Sequence, residues 1–173
     1  MINIEAFLCK ELTITALTTT AIFVDVQNIY YTTRDTFGRP FNYRQFYAHI
    51  AQSRDITLAN AYAIARNDDG QHKFQGALRH IGFDVKLKPF IERSDGSAKG
   101  DWDVGITIDV LEAAPNVDEI ILLSGDGDFA ILLDKVSQKY NCKTTVYGVE
   151  ALTANGLIHS ASKFIPITTK QLI

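Results

Sequence analysis

The segment LLSGDGDFAILL, residues 122–133, places small residues and two acids between two apolar runs. The run that precedes it, in DEIILLS (118–124), is typical of a buried central strand. The run that follows it, in DFAILLDKVSQKY (128–140), recurs at helical spacing. The glycines and acids between them are typical of a tight turn that begins a helix. A strand that leads directly into a helix indicates a parallel α/β sheet.

The rest of the chain repeats this alternation. The run 21–26 has no period-two pattern, which indicates a strand buried on both faces, whereas 83–90 alternates strictly and favours a strand near the sheet edge. Further strands are predicted at 56–65, 142–149 and 163–167, helices at 43–53, 72–82, 101–114 and 151–162, and a polar loop at 92–100. Right-handed crossovers then produce a three-layer α/β/α sandwich with a mainly parallel central sheet. Residues 1–18 are predicted to be an extension of one domain, 19–173.

Composition narrows the class of protein. The 173 residues suffice for one domain with a full core, and the 46% hydrophobic and 21% charged content is that of a globular protein. No apolar run approaches the roughly 18 residues of a membrane span, so no membrane partner is expected. The first residues make a poor secretory signal. Cys9 and Cys142 have no metal-ligand spacing, which favours a reducing cytoplasm.

The charge distribution is uneven along the chain. The net charge of −3 makes no overall case for a nucleic-acid binder. Residues 1–99 hold 12 Lys/Arg against 10 Asp/Glu, and residues 100–173 hold 5 against 10. An acidic half beside a mildly basic half would suit a carboxylate metal site flanked by phosphate contacts. Ordinary surface variation would produce the same counts.

Four acids are predicted to meet at one edge of the sheet, because ligands of open parallel sheets bind outside the carboxyl ends of the strands. Asp25 ends the first strand, Asp126 and Asp128 follow the strand at 118–124, and Asp103 lies in the first turn of the helix at 101–114. Such carboxylates repel one another unless cations neutralise them. Oxygen ligands without His or Cys suit Mg²⁺ or Mn²⁺ rather than Zn²⁺.

Each acid also has a purely structural interpretation. Asp103 and Asp128 could be helix caps or partners of the helix dipole, and Asp128 is the acid most easily explained in this way. Asp126 is harder to explain as a cap, because glycines on both sides also permit close backbone approach. Asp25 stands among apolar neighbours, where an acid is costly to bury unless it is paired or bound to metal.

Three further polar residues accompany these acids. Asn28 could orient Asp25 or a metal-bound water, or could cap a helix or turn. Ser124 could donate a hydrogen bond to a carboxylate, or satisfy the backbone of the turn. Asp109 lies six residues from Asp103, an interval that does not share a helix face, and is a weaker candidate. No nucleophile elbow, P-loop or dinucleotide fingerprint is present in the sequence.

Three blocks of the chain resemble the signature blocks of the NYN domain family, in its LabA-like branch within the PIN-like nuclease superfamily. The blocks are AIFVDVQNIYY, AKGDWDVGITIDVLEAA and EIILLSGDGDFAILLDKVSQKYNCKTTVYGV, and the resemblance covers roughly residues 19–168. It implies a PIN-like Rossmannoid fold and metal-dependent hydrolysis of RNA phosphodiester bonds. The acids of the family's proposed metal site correspond to Asp25, Asp103, Asp126 and Asp128, with Asn28 as the accompanying polar residue.

Basic and aromatic residues supply candidate contacts for RNA. Lys99, beside the acidic edge, could contact a phosphate or be a solvated loop lysine. Arg34, Arg39 and Arg44 alternate with aromatic residues in a pattern similar to surfaces that stack bases and pair phosphates. Those aromatics are Tyr30, Tyr31, Phe37, Phe41 and Tyr43. They could equally be core residues or contacts within a homo-oligomer.

Three functions compete on this basis. The leading one is a metal-dependent endoribonuclease that uses the Asp cluster. The second is an RNA-binding or regulatory module that has the same fold without turnover. The third is a phosphatase of the haloacid-dehalogenase type with Asp25 as the covalent nucleophile. This last function is disfavoured, because its chemistry expects a second acid two residues later, where the chain has Gln27.

Overall fold

The computed structural model describes residues 16–65, 69–89, 91–92, 98–99 and 101–173. Its strands are β1 (Thr18–Asp25), β2 (Arg54–Ala65), β3 (Asp84–Pro89), β4 (Ile91–Glu92), β5 (Ala98–Lys99), β6 (Glu119–Leu123), β7 (Lys143–Gly148) and β8 (Lys163–Pro166). Six of them form one sheet in the order β3-β2-β1-β6-β7-β8, and every neighbouring pair is parallel. Strands β4 and β5 pair with each other in antiparallel orientation. The parallel sheet expected from the sequence is confirmed.

Helices cover both faces of this sheet. They are α1 (Val26–Phe37), α2 (Tyr43–Ala51), α3 (Asp69–Ile81), α4 (Asp103–Ala113), α5 (Ala130–Tyr140) and α6 (Asn155–Ser160). Ile22 and Val24 of β1 belong to the core that contains buried residues of α1, α2 and α3. Ala21 and Phe23 belong to the opposite core, with buried residues of α4, α5 and α6. The three-layer sandwich is therefore confirmed, and it explains why β1 has no polar alternation.

Helix α1 has no counterpart among the predicted elements. Its sequence, VQNIYYTTRDTF, is rich in β-branched and aromatic residues with modest helix propensity. Capping residues at both ends stabilise the helix instead. The Asp25 carboxylate accepts a hydrogen bond from the backbone N–H of Asn28, and Gly38 ends the helix at a left-handed φ of 65°. Capping and packing therefore outweigh propensity in this segment.

Two other predicted elements differ in length. The helix expected at 151–162 is limited to α6, because Thr153 and Ala154 are extended. The Ala154 N–H donates to the Gly125 carbonyl at 3.0 Å, so this segment packs against the turn after β6 instead of continuing the helix. The polar loop expected at 92–100 includes β5, whose backbone pairs with β4.

The topology brings the carboxyl ends of the central strands together. Strand β1 pairs with β6 up to Val24↔Leu123, and with β2 up to Asp25↔Tyr62. Strand β3 occupies an edge of the sheet, as its alternation predicts. No helix in the described part of the chain is long and apolar enough to cross a membrane.

Candidate metal centre

The turn after β6 carries two of the predicted acids. Asp126 caps the short 3-10 helix Gly127–Phe129, and its carboxylate accepts from the Asp128 N–H at 3.0 Å. A Cβ added to Gly125 would lie 2.7 Å from the Leu152 carbonyl oxygen, and one added to Gly127 would lie 2.9 Å from the Ala154 methyl group. Glycine is required here by close approach of the segment before α6, because neither residue has a positive φ.

Three carboxylates form a compact group at this edge of the sheet. One oxygen each from Asp103, Asp126 and Asp128 can be chosen so that all lie within 4.8 Å of one another. Asp103 and Asp126 are half-buried, whereas Asp128 is exposed. Among the described residues this is the group of His, Cys, Asp and Glu side chains with metal-ligand spacing. Its donor set consists of oxygen alone, which fits a hard divalent cation such as Mg²⁺ or Mn²⁺.

Asp25 lies beside this group rather than within it. Its carboxylate accepts from the Asn28 N–H at 3.2 Å and from the Ser124 hydroxyl at 3.3 Å. The pKa of Asp25 is raised to about 6, mainly by burial and also by the charges of Asp103 and Asp126, against the hydrogen bonds from Asn28 and Ser124 that lower it. The expected convergence of four acids is thus realised as three close carboxylates and a fourth that interacts with them electrostatically.

Excess negative charge is the main electrostatic property of the site. Burial raises the pKa of Asp103, and the charges of Asp126, Asp101 and Asp128 raise it as well. Lys88 is the cation that opposes them. Within the described part of the chain these carboxylates lack a full counter-charge, a condition that a bound cation would relieve.

Asn28 and Ser124 connect the two strand ends. The Asn28 Oδ1 accepts from the Gly125 N–H at 2.8 Å, which ties the start of α1 to the turn after β6. The Ser124 hydroxyl donates to Asp25 and accepts from the Asp126 N–H at 3.2 Å. Ser124 is fully buried. Both interpretations of this residue apply, because its hydroxyl binds a carboxylate and also satisfies the backbone of the turn. Through its backbone, Asn28 also holds one oxygen of Asp25.

The assignment of caps from sequence was wrong for the pair after β6. Asp126 is the cap, and Asp128 is its backbone donor, because the helical turn begins at Gly127 rather than one residue later. Asp103 occupies the first position of α4 and follows Trp102, the N-cap residue, which makes no side-chain capping bond. Capping therefore does not account for Asp128, and for Asp126 it accounts for one carboxylate oxygen.

Asp109 has a structural partner instead of a place in the acidic group. Its carboxylate accepts from the Tyr62 hydroxyl at 2.6 Å and from the Asn60 amide at 3.4 Å. Directly before α4, the Trp102 indole N–H donates to the Ala63 carbonyl at 2.9 Å. Both contacts fasten α4 to β2, and they set the position from which Asp103 reaches the other acids. Trp102 and Tyr62 were missed in the sequence, where their only signal was a location close to predicted strand and helix ends.

The predicted basic residues are dispersed. Arg34 is exposed on α1 and donates to the Tyr30 hydroxyl at 2.6 Å, and exposed Arg39 donates to the Ile173 carbonyl at 2.7 Å. Arg44 is exposed on α2. Lys99 lies in β5, and its side chain is outside the described residues. Lys88, which the sequence reading did not select, donates to the Asp101 carbonyl at 2.9 Å and lies over the Trp102 ring. The sequence feature that could have indicated Lys88 is its place near the carboxyl end of the alternating strand β3.

The aromatic residues of the same stretch divide into two groups. Tyr30 and Tyr31 are exposed by 45% and 48%, and their rings meet edge to face at 5.3 Å. Phe41 and Tyr43 are buried in the core, and Phe37 packs against it. Of the interpretations that the sequence left open, the core one applies to Phe37, Phe41 and Tyr43, whereas Tyr30 and Tyr31 are exposed.

This arrangement defines an α/β protein of Rossmann-like topology with an acidic, oxygen-only centre at the carboxyl edge of its parallel sheet. The NYN domain family matches residues 19–168, and the chain belongs to that family, which lies within the PIN-like nuclease superfamily. The resemblance seen in the three sequence blocks is thereby confirmed.

Two known proteins are similar to this chain. The chain is 30% identical over 155 residues to the Low amplitude and bright protein LabA of Synechococcus elongatus, with 85% of this chain and 82% of that protein covered. It is 52% identical to a protein of unknown function from Vibrio parahaemolyticus, whose crystal structure matches with a TM-score of 0.87 over 91% of this chain and 97% of that one.

Proposed function

We propose that this protein is a metal-dependent endoribonuclease that hydrolyses RNA phosphodiester bonds at the acidic centre. The observation that carries the proposal is the group formed by Asp103, Asp126 and Asp128, whose oxygens lie within 4.8 Å of one another. Membership of the NYN family supports the same chemistry. We further propose that the protein acts in the cytoplasm.

In this proposal Asp103, Asp126 and Asp128 hold Mg²⁺ or Mn²⁺, and Asp25 acts beside them. A divalent cation held by these residues would supply Lewis-acid activation of water and stabilisation of negative charge on the phosphate. Asp25, with a pKa raised to about 6, is suited to accept a proton from the attacking water near neutral pH. Ser124 and Asn28 fix both oxygens of Asp25 and keep that base in position.

The substrate contacts in the proposal come from cations around the acidic centre. Lys88 is placed to neutralise a phosphate adjacent to the scissile one, because its ammonium already lowers the pKa of Asp103. Lys99 is proposed for the same purpose on sequence grounds. Arg34 and Arg44 are exposed cations on α1 and α2, and they would extend the contact along the strand.

The test is cleavage of a panel of single-stranded and structured RNAs with increasing Mn²⁺ or Mg²⁺. We expect Asp126→Asn to reduce the rate about 100- to 1,000-fold, the scale on which removal of one electrostatic stabiliser acts. The matched control is Asp134→Asn, because Asp134 is an exposed acid on α5 outside the centre. The proposal is contradicted if purified protein cleaves no RNA with either metal. RNA binding without any cleavage would instead establish the non-catalytic RNA-binding or regulatory module.

A further inference from the structure

A large cavity lies between α1, α2 and α3, next to the acidic centre but separate from it. Its volume is about 670 Å³, and its walls include Val26, Phe41, Tyr43, Phe74, Leu78 and Ile81. These residues are apolar or aromatic, and all but Phe74 and Ile81 are buried in the core. Nothing in the proposed hydrolysis uses this space.

The cavity and the acidic centre are neighbours along the chain. Val26 and Gln27, two of its lining residues, directly follow Asp25 at the start of α1. Tyr43 forms another part of the wall. Burial raises the pKa of its phenol, and the charge of Asp25 contributes in the same direction. The cavity and the acidic centre therefore both border the start of α1.

The charge of the cavity differs from that of the centre. Among its lining residues within the described part of the chain, Arg44 is the one charged side chain. Tyr30 and Tyr31 also line it and are each about half exposed, so aromatic faces and edges are available at its mouth. The Arg34 guanidinium lies 5.7 Å from the Tyr30 ring centre and adds positive charge on that side.

A nucleic acid combines the properties that the two neighbouring sites require. Its phosphates are anions that a metal-loaded acidic centre attracts, and its bases are flat rings that stack on aromatic side chains. Gln27 and Asn42 line the same space and offer amide groups to the polar edge of a ring. We propose that the cavity is a nucleobase subsite, which receives the base of a nucleotide next to the scissile phosphate. The choice of ligand rests on the proposed ribonuclease function.

The test compares adenosine 5′-monophosphate with ribose 5-phosphate, which has the same sugar and phosphate but no base. Binding of both is measured by calorimetry or by NMR titration of the Mg²⁺-loaded protein. We expect the nucleotide to bind about tenfold more tightly, as stacking of one base on aromatic side chains predicts. Cleavage of RNA by the same samples is measured in parallel.

The key variant is Ala77→Phe, which fills the cavity from an exposed position on α3. It is expected to make the affinities for the nucleotide and for ribose 5-phosphate about equal. Tyr31→Ala should reduce the ratio of these affinities several-fold. The matched control is Ala48→Phe, an exposed alanine on α2 that does not line the cavity and should leave the preference unchanged.

Each outcome separates the two proposals. RNA cleavage with equal binding of both probes would overturn the subsite and leave the nuclease intact. A base preference that Ala77→Phe removes, in a protein that cleaves no RNA, would support the subsite and overturn the nuclease. A dimer that Ala77→Phe dissociates, without any base preference, would assign the cavity to a second copy of the chain and overturn the subsite.

Discussion

Glu119 lies at the amino end of β6 and Asp25 at the carboxyl end of its neighbour β1, and the two acids have opposite environments. At the amino end, Glu119 is 1% exposed and accepts from the Arg54 guanidinium at 2.5 Å and from the Thr145 hydroxyl at 2.6 Å. Burial raises its pKa, but these hydrogen bonds and the charges of Arg54 and Lys143 outweigh burial, so the pKa is lowered. At the carboxyl end, the pKa of Asp25 is raised to about 6.

The difference separates an acid that is neutralised within the chain from acids that raise one another's pKa. Glu119 has a partner within the chain, so its charge is neutralised when the protein folds. Asp103, Asp126 and Asp128 lie close together, and Lys88 opposes the charges that act on Asp103, so repulsion among the carboxylates accompanies folding. Buried acids are costly in both places, but among the described residues the compensating charge is smaller at the carboxyl end.

The largest effect is expected when Glu119 loses its ion-pair partner Arg54. Arg54→Met leaves Glu119 buried without its main partner, and the free energy of unfolding at pH 7 should fall by about 2–4 kcal/mol. Urea denaturation measures it, with the exposed Arg79→Met on α3 as the matched control. A loss below about 1 kcal/mol would mean that Thr145 and Lys143 satisfy Glu119 without the guanidinium.

Metal binding at the acidic centre should stabilise the folded protein by a comparable amount. At a free Mg²⁺ or Mn²⁺ concentration about 100-fold above the dissociation constant, the free energy of unfolding should rise by about 2.7 kcal/mol. Asp126→Asn removes a ligand oxygen and should abolish most of this rise, whereas Asp134→Asn should keep it. Thermal unfolding with and without metal provides the measurement. Equal stabilisation of wild type and Asp126→Asn would place the metal elsewhere.

Removing charge from the uncompensated end should stabilise the metal-free protein. Asp25→Asn is expected to raise the free energy of unfolding at pH 7 by about 1–2 kcal/mol. Because the folded pKa of Asp25 is about 6 and its ordinary value is 3.8, the wild type should lose stability as pH rises from about 4 to about 6.

The variant should lack that part of the pH dependence, and above pH 6 the difference should stay constant. Unfolding in chelator-treated buffer at pH 4.5 and 7 measures the effect, on the scale of about 1 kcal/mol. If Asp25→Asn and wild type change in parallel between these pH values, the carboxylate is not the source of the dependence. Glu119 contributes in the opposite sense, because its lowered pKa adds stability that is lost as the pH falls.

The smallest effect is expected at the cation of the acidic end. Lys88→Ala should change the free energy of unfolding by less than about 1 kcal/mol, because Lys88 is half-buried and its hydrogen bond to the Asp101 carbonyl is solvent-exposed. RNA affinity should nevertheless fall, and the slope of its salt dependence should decrease by about one ion. Lys135→Ala, an exposed lysine on α5, is the control. An unchanged salt slope would remove Lys88 from the phosphate contacts.

Much of the fold followed from local pattern. The apolar run of β1 and the alternation of β3 predicted a central strand and an edge strand, and both predictions are confirmed. The carboxyl-edge rule also predicted that Asp25 and the turn after β6 would be neighbours. Helix α1 was missed because its signals are a cap and packing rather than composition. The burial of Phe41 and Tyr43 could not be predicted from the sequence, because aromatic residues have the same spacing in a core and on a binding surface.

The sequence alone determined the three-layer class with a mainly parallel sheet and the prediction of acids at one sheet edge, because both depend on periodicity and on where strands end. Only the tertiary structure decided which acids are compensated. Glu119 meets Arg54, a residue 65 positions away, whereas Asp103, Asp126 and Asp128 meet one another. A pKa depends on burial and on charges within a few ångströms, and those neighbours come from β2, α4 and the turn after β6. Their distances exist only once the sheet has formed.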